Sequence, residues 1–550
     1  MATLTTGPRL GSPASTGFKV WAKLDGAASV TLETKLPSAT TWTLQDTQAV
    51  ETAKKNTVVV EATGLEPATL YDYRIAVDAV VAATEQSMTM PTTGRFVVYH
   101  FSDFHQSDAS VPLAWALTDW ETNYRDAGVP GVISLLGDFT ALLESTTADA
   151  ITRLETQLAN LCGTGLAGSN MPVMYQFDDW DWGGNNSSKD FLIAFESESD
   201  PEQEAIDMQD AYWRERPQPA APSYGHHYEI ASVPFIYSDS RSQRVPQTTS
   251  YPPFDNVLGN NGVGDCYGAT QAAWLKTTLR AYGRRALVVF FSGDTWRDSV
   301  GTIGADGGPT GIHRDSVGVF YIKSRNAVIQ EGMMNYGYES LNNLLVVSSD
   351  DHNNIMWDGP AGGEKAYTDY VPKPPFWLPF REVKVNSSKI AALVPPRTTF
   401  GDSLRYFQDE AAHDEGSCIR MDITSSVGGE RVTMRMTWFD CDDGTILTWD
   451  SGDNADGSDG DFTFINGRWL KYESGVSDTQ NYPPMNSPEP EPLYGKAYVD
   501  DVLGTLHTRE MVARDDFNRL RRIDDFDERD RDDLKIEIRR RTEKPLEPVR

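Results

Sequence analysis

The sequence predicts an α/β fold preceded by a short all-β region, and three observations carry that prediction. From residue 95 onward, short apolar runs end in polar residues: RFVVYHFSD (95–103), VPGVISLLGD (129–138), PVMYQFDD (172–179), VPFIYSDSR (233–241), ALVVFFSGD (286–294) and NLLVVSSDD (343–351). Apolar runs of this length suit strands buried on both faces. Between them lie segments of helical spacing, PLAWALTDWETNYRDAG (112–128), ATQAAWLKTTLRAYG (269–283) and SVGVFYIKSRNAVIQEGMMN (316–335). Ahead of residue 95 the period changes to two, the mark of half-buried strands.

Taken in order, GFKVWAKL (17–24) and ASVTLETK (28–35) alternate apolar and polar side chains. GLEPATLYDYRIAV (64–77) runs from a Gly/Pro turn into a strand that puts Tyr71 and Tyr73 on one face. Such a tyrosine resembles the corner tyrosine of fibronectin-like sandwiches, which bonds back to the backbone. Residues 1–94 are therefore expected to form a small fibronectin-like all-β domain with a packing role. Residues 95–450 are expected to form the α/β domain, with CIRMDITSS (418–426) and RVTMRMTWFD (431–440) completing or covering its sheet. Residues 451–550 read as linker and tail, acidic in DSGDNADGSDGDF (450–462) and Pro-rich in NYPPMNSPEPEP (481–492). Residues 509–541 are densely charged, which suits a solvated helix or one that docks on an assembly partner.

A chain of 550 residues with 39% hydrophobic and 11% aromatic side chains has ample material for two or three packed cores. Its formal net charge of −31 repels polyanions, which excludes non-specific binding to nucleic acid or to anionic membranes. Asp outnumbers Glu and Arg outnumbers Lys, a bias that suits a chain kept soluble in high salt or simply an acidic soluble protein. The four cysteines, Cys162, Cys266, Cys418 and Cys441, form no CxxC pair, so structural zinc is not expected. The first residues carry neither a basic nor an apolar export region, and no apolar run reaches the roughly 18 residues a membrane span needs. The expected location is cytoplasmic.

The chemistry lies at the strand ends. Asp103 and His105 make a D-x-H pair, Asp138 follows in LLGDF, Asp179 in FDDWDWGGNN, Asp294 in SGDTW, and Asp350 with His352 in SSDDH. Carboxylate and imidazole suit hard or borderline metal ions, and a pair about 4 Å apart polarises a phosphate and activates water. The pieces GLEPATLYDYR, LLGDF, FDDWDWGGNN, YSDSRSQR (237–244), TQAAWLKTTL (270–279) and VVSSDDH (346–352) together resemble the PhoD-like branch of the metallophosphoesterases. The resemblance implies a metallophosphoesterase-type β-sandwich flanked by helices. It also implies two or more metal ions (calcium, manganese, iron or zinc) held by Asp103, His105, Asp138, Asp179, Asp350 and His352. Asp138 would bridge the metals, and hydroxide generated there would attack phosphorus. YSDSRSQR places Asp239, Arg241 and Arg244 near the site, with Arg241 as the candidate phosphate contact and Asn185 and Asn186 assisting.

Departures from the family pattern matter as much. Trp180 stands where the family has a histidine expected to protonate the leaving group, and an indole cannot do that. His105 and Phe139 replace the cysteine and tyrosine that often bind iron in this branch, and Ser349 precedes Asp350 in place of glycine. His227, with His226 in SYGHHYEI, is the candidate substitute acid, and His313 lies in a Gly-rich loop suited to a lid. The acidic run 453–461 lacks the spacing of an EF-hand. Two functions follow: metal-dependent hydrolysis of phosphomonoesters or phosphodiesters, or a catalytically impaired fold used for structure or surface binding, as in a virus particle.

Overall fold

The structure is a computed structural model that describes residues 2–104, 109–184, 187, 192, 194–217, 223–244, 267–283, 285–293, 328–329, 343–349, 354–358, 381–387, 405–409, 416–447, 461–465, 468–473 and 476–477. The chain divides into two compact units, Met1–Asp478 and Thr479–Arg550, and the second lies outside the described residues. So do Cys266, the expected helix 316–335 apart from residues 328–329, the acidic run up to residue 460, the Pro-rich stretch and the charged tail.

The first part of the chain is all strand: β1 (Leu4–Ala14), β2 (Gly17–Leu24), β3 (Ser29–Lys35), β4 (Thr43–Ala49), β5 (Thr57–Ala62), β6 (Leu70–Val77) and β7 (Val80–Met88). Strands and helices then mix: β8 (Gly94–Ser102), α1 (Ser110–Asn123), β9 (Gly131–Leu136), α2 (Thr147–Leu161), α3 (Ala167–Asn170), β10 (Val173–Gln176), α4 (Asp179–Trp182) and α5 (Pro201–Tyr212). Next come β11 (His226–Ile230), β12 (Val233–Ser238), α6 (Gly268–Tyr282), β13 (Val288–Ser292), β14 (Leu344–Ser348), β15 (Asn354–Asp358), β16 (Arg381–Lys384) and β17 (Arg405–Asp409). Five strands close the described chain: β18 (Ser417–Ser425), β19 (Val432–Asp440), β20 (Asp461–Ile465), β21 (Arg468–Glu473) and β22 (Val476–Ser477).

These strands make an eleven-stranded sheet in the order β22-β21-β20-β19-β18-β8-β9-β10-β1-β2-β5, a seven-stranded sheet β11-β12-β13-β14-β16-β15-β17, and a four-stranded sheet β4-β3-β6-β7. The fold is thus mixed α/β with several sheets. Strands β20, β21 and β22, within the stretch read as linker, extend the long sheet beyond β19.

Side-chain period explains which faces are buried. β9 and β13 are buried at every position, as parallel strands covered on both faces require. β3 alternates, with Val30 and Leu32 turned inward. One apolar cluster fills the space between the two larger sheets, joining Phe96 and Val98 of β8 to Phe235 of β12, Phe291 of β13 and Val347 of β14. A second lies on the other face of the long sheet, where Leu113 and Trp120 of α1, Leu154 and Leu158 of α2 and Met208 of α5 meet Tyr99 and Tyr175. A third joins β1, β2 and β5 to β3 and β6, through Leu10, Val20, Val58, Val30 and Tyr73. At the start of β6, the Tyr71 hydroxyl accepts the Glu66 N–H at 3.0 Å.

The starts of α2 and α5 follow the expected local chemistry. Thr146 caps α2 by accepting the Asp149 N–H, while Asp200 caps α5 through Gln203 with Pro201 in the first turn. The parallel strands end flush: Ser102 pairs with Leu136, and Leu136 with Gln176. In the facing sheet Ser238 pairs with Ser292, and Ser292 with Ser348. The polar residues after six strands therefore emerge along rims where their side chains can meet.

Candidate metal centre

Asp103 follows β8, and Asp138 follows β9 after Gly137. Both aspartates adopt left-handed backbone, at φ 61° and 54°, a conformation unfavourable for a residue with a side chain unless its neighbours hold it. Asp178 and Asp179 follow β10 as it turns into α4. All four are buried. Asp138, Asp178 and Asp179 each present a carboxylate oxygen, and these oxygens lie within 4.8 Å of one another. Asp103 belongs to the same crowd, since its charge raises the pKa of Asp138.

Partners fix each carboxylate. The Ser102 hydroxyl donates to Asp103 Oδ2 at 2.8 Å. Asp178 receives Arg241 Nε on one oxygen and the Ser349 hydroxyl, at 3.1 Å, on the other. It lies against the backbone of Gly293, where a Cβ would stand 2.6 Å from its Cγ, so only glycine fits beside it. Arg241 is fully buried and its Nη1 is 4.0 Å from Asp179 Oδ2. Asp239 turns the loop that carries Arg241, accepting the N–H groups of Arg241 and Ser242 at 3.0 and 2.9 Å and that of Tyr224 at 2.9 Å. Gln271 of α6 grips both backbone groups of Asp239, at 2.7 Å each.

The electrostatics suit a cation. Burial, then the charges of Asp179, Asp178, Asp103 and Asp181, push the Asp138 carboxyl far above its ordinary range. Asp181 is raised to about 7, first by burial, against three backbone N–H bonds that favour its charged form. Among the described residues a single guanidinium, Arg241, makes ion pairs with this group. Oxygen donors packed this closely fit a hard divalent ion.

Of the expected ligands, Asp138 and Asp179 come together and Asp103 lies near enough for its charge to act on Asp138, while His105, Asp350 and His352 lie outside the described residues. Asn185, Asn186, Asp294 and His313 lie outside them as well. Arg241 sits at the carboxylates and bonds Asp178. Arg244 is buried on the same loop, with its N–H bonded to the Arg241 carbonyl at 3.1 Å. His227 faces α6: its ring lies beside Trp274 and Tyr282, with Nε2 3.3 Å from the Tyr282 hydroxyl. His226 stacks on Tyr237, and burial lowers its pKa to about 3, so it stays neutral. Phe139 packs between Phe104 and Trp213. Trp180 is partly exposed, while Asp178, Asp179, Asp181 and Trp182 around it are buried. Sequence reasoning missed Asp178, Asp181 and Gln271; the doubled aspartate at the end of β10 was the available signal for Asp178.

Comparison with known proteins adds the fold. A PhoD structure superimposes with a TM-score of 0.57 at 16% identity, covering 86% of this chain and 92% of that one. The chain has a PhoD-like fold. At that identity the likeness establishes the fold alone. A family model described as a domain of unknown function, DUF7800, matches residues 1–94. Two structures of the sensor domain of the anti-sigma factor RsgI4 from Pseudobacteroides cellulosolvens cover 16% of this chain at TM-scores of 0.13, with 10% and 9% identity and 94% and 89% of their own lengths. A score that low carries no argument. No curated protein matches the sequence.

Proposed function

We propose that this chain is a metal-dependent phosphoester hydrolase acting on phosphomonoesters or phosphodiesters. The observation that carries the reading is the convergence of Asp138, Asp178 and Asp179, buried, with ligand oxygens within 4.8 Å. Asp138 and Asp179 would hold the cations with Asp103. His105, Asp350 and His352 would complete the set, and Asn185 would assist. A bound divalent ion supplies Lewis acidity and lowers the pKa of water enough to make a nucleophile at neutral pH. Asp178 bonds the buried Arg241, whose guanidinium would add positive charge beside the cations for a phosphate. His227, engaged with α6, is left out of this set. The bond from the Glu66 N–H to the Tyr71 hydroxyl supports reading residues 1–94 as a fibronectin-like sandwich attached to the hydrolase.

Trp180 favours a second reading, a centre that binds phosphate groups without efficient turnover in a structural or surface-binding role. Its indole donates one hydrogen bond and has no proton to exchange near neutral pH. One experiment separates the two. The full chain, stripped with a chelator and reloaded with Mn²⁺, is assayed on a generic phosphodiester beside Asp138→Ala. The hydrolase reading expects Mn²⁺-dependent turnover that falls to background in the variant. Mn²⁺ uptake without turnover selects the binding reading, and turnover undiminished in the variant sinks the proposed centre.

A further inference from the structure

Asp181 lies outside the converging trio but touches both loops that supply it. The residue is 4% exposed. Oδ1 accepts the Thr140 N–H at 2.6 Å, and Oδ2 accepts those of Phe139 at 3.3 Å and Asp178 at 3.4 Å. In return the Asp178 side chain accepts the Asp181 backbone N–H, closing a reciprocal box. Phe139 and Thr140 are the residues directly after Asp138, whose backbone is left-handed at φ 54°. On its other side Gly137 donates to the Gln176 carbonyl at 2.8 Å. Asp138 is thus bracketed on both sides by the segment that carries Asp178 and Asp179.

We propose that Asp181 is a positioning residue, a strap that fixes the spacing of Asp138 and Asp179 for cation binding. The proposal rests on the metal-centre reading above. A carboxylate is needed because both of its oxygens accept N–H groups. An asparagine of the same size keeps one acceptor and turns an NH₂ donor against the other amide. That mismatch pushes the two loops apart and so shifts the spacing of Asp138 and Asp179, although no metal-facing carboxylate is itself replaced. Partners that orient metal ligands typically change metal affinity by about 10–100-fold when removed.

The test is Mn²⁺ titration by calorimetry on the chelator-stripped full chain, wild type beside Asp181→Asn, with folding checked by thermal melting. The strap predicts a folded variant whose Mn²⁺ Kd is about tenfold weaker or more, with the Mn²⁺ needed for half-maximal hydrolysis raised by the same factor. A folded variant with a lower Tm but the wild-type Kd shows a purely structural role and overturns the proposal. Should Asp181→Asn fail to fold, Asp181→Glu, which keeps both acceptors on a longer arm, is read the same way: weakened binding supports the strap and wild-type binding overturns it. A wild-type chain that takes up no Mn²⁺ overturns the metal-centre reading itself, and the strap falls with it.

Discussion

Asp138 shows what the centre costs the fold when no cation is present. Its carboxyl is pushed up by burial and by the neighbouring aspartates, and Asp181 is raised to about 7. An acid whose folded pKa lies above its unfolded value of about 4 favours folding while protonated. That contribution is complete below about pH 4 and is lost as pH rises through the folded pKa, near 7 for Asp181. With EDTA present, Asp138→Asn, which cannot ionise at this position, should therefore gain Tm relative to wild type as pH is raised from about 5 to 8, and excess Mn²⁺ should cancel the gain. Melting curves that keep a constant offset across this range would refute the argument. Asp103, Asp138 and Asp179 were legible as candidates because each comes just after a buried strand, whereas Asp178 beside Asp179 was not singled out. Their supports were not legible. Asp181 acts on an amide 41 residues away, and Arg241, read as a phosphate contact, is held by Asp178, a pairing that no local pattern encodes.

β1 makes the same point at the scale of an element. LTTGPRLGSPA holds two glycines and two prolines, which argues against a strand in the middle of a sheet. Yet β1 lies between β10 and β2, and its only register pair with β10 is Gly11 with Val173. Packing overrides propensity here. Gly11 lets Glu215 approach, since a Cβ there would fall 2.1 Å from Glu215 Cγ. Arg9 then pairs with Glu215 at 2.7 Å, both almost wholly buried, and its guanidinium sits 4.5 and 4.0 Å from the Trp21 and Trp213 ring centres. Arg9→Met should cost about 3–5 kcal/mol, because it leaves a buried carboxylate without its counter-charge. Arg9→Met with Glu215→Met should recover most of that loss in chemical denaturation. Equal destabilisation by the single and double variants would mean that the stacked guanidinium, not the ion pair, holds β1. The central strands were legible from their apolar runs. The place of β1 was not, because it depends on partners some 200 positions along the chain.

Across the whole molecule the dominant quantity is charge. A formal net charge of −31 spread over 550 residues opposes any compact state, and the repulsion acts between surface groups too far apart to form pairs. Salt screens such charges, since the Debye length falls from about 10 Å at 0.1 M to about 3 Å at 1 M. Exposed ion pairs such as Arg285 with Glu229, 3.3 Å apart, weaken over the same range, but each contributes about 1 kcal/mol or less. Buried pairs such as Arg9 with Glu215 and Arg241 with Asp178 are shielded from salt by the protein around them. Net repulsion should therefore win, and Tm should rise between 0.1 and 1 M KCl, a salt chosen because it lacks the surface exclusion of sulfate or phosphate. The measurement belongs in EDTA as well as in Mn²⁺, because the buried carboxylates would otherwise respond to the metal and obscure the surface effect. A Tm that stays flat or falls across this range would show that the acidic surface is already compensated locally, and that the Asp and Arg bias reflects composition without adaptation to salt.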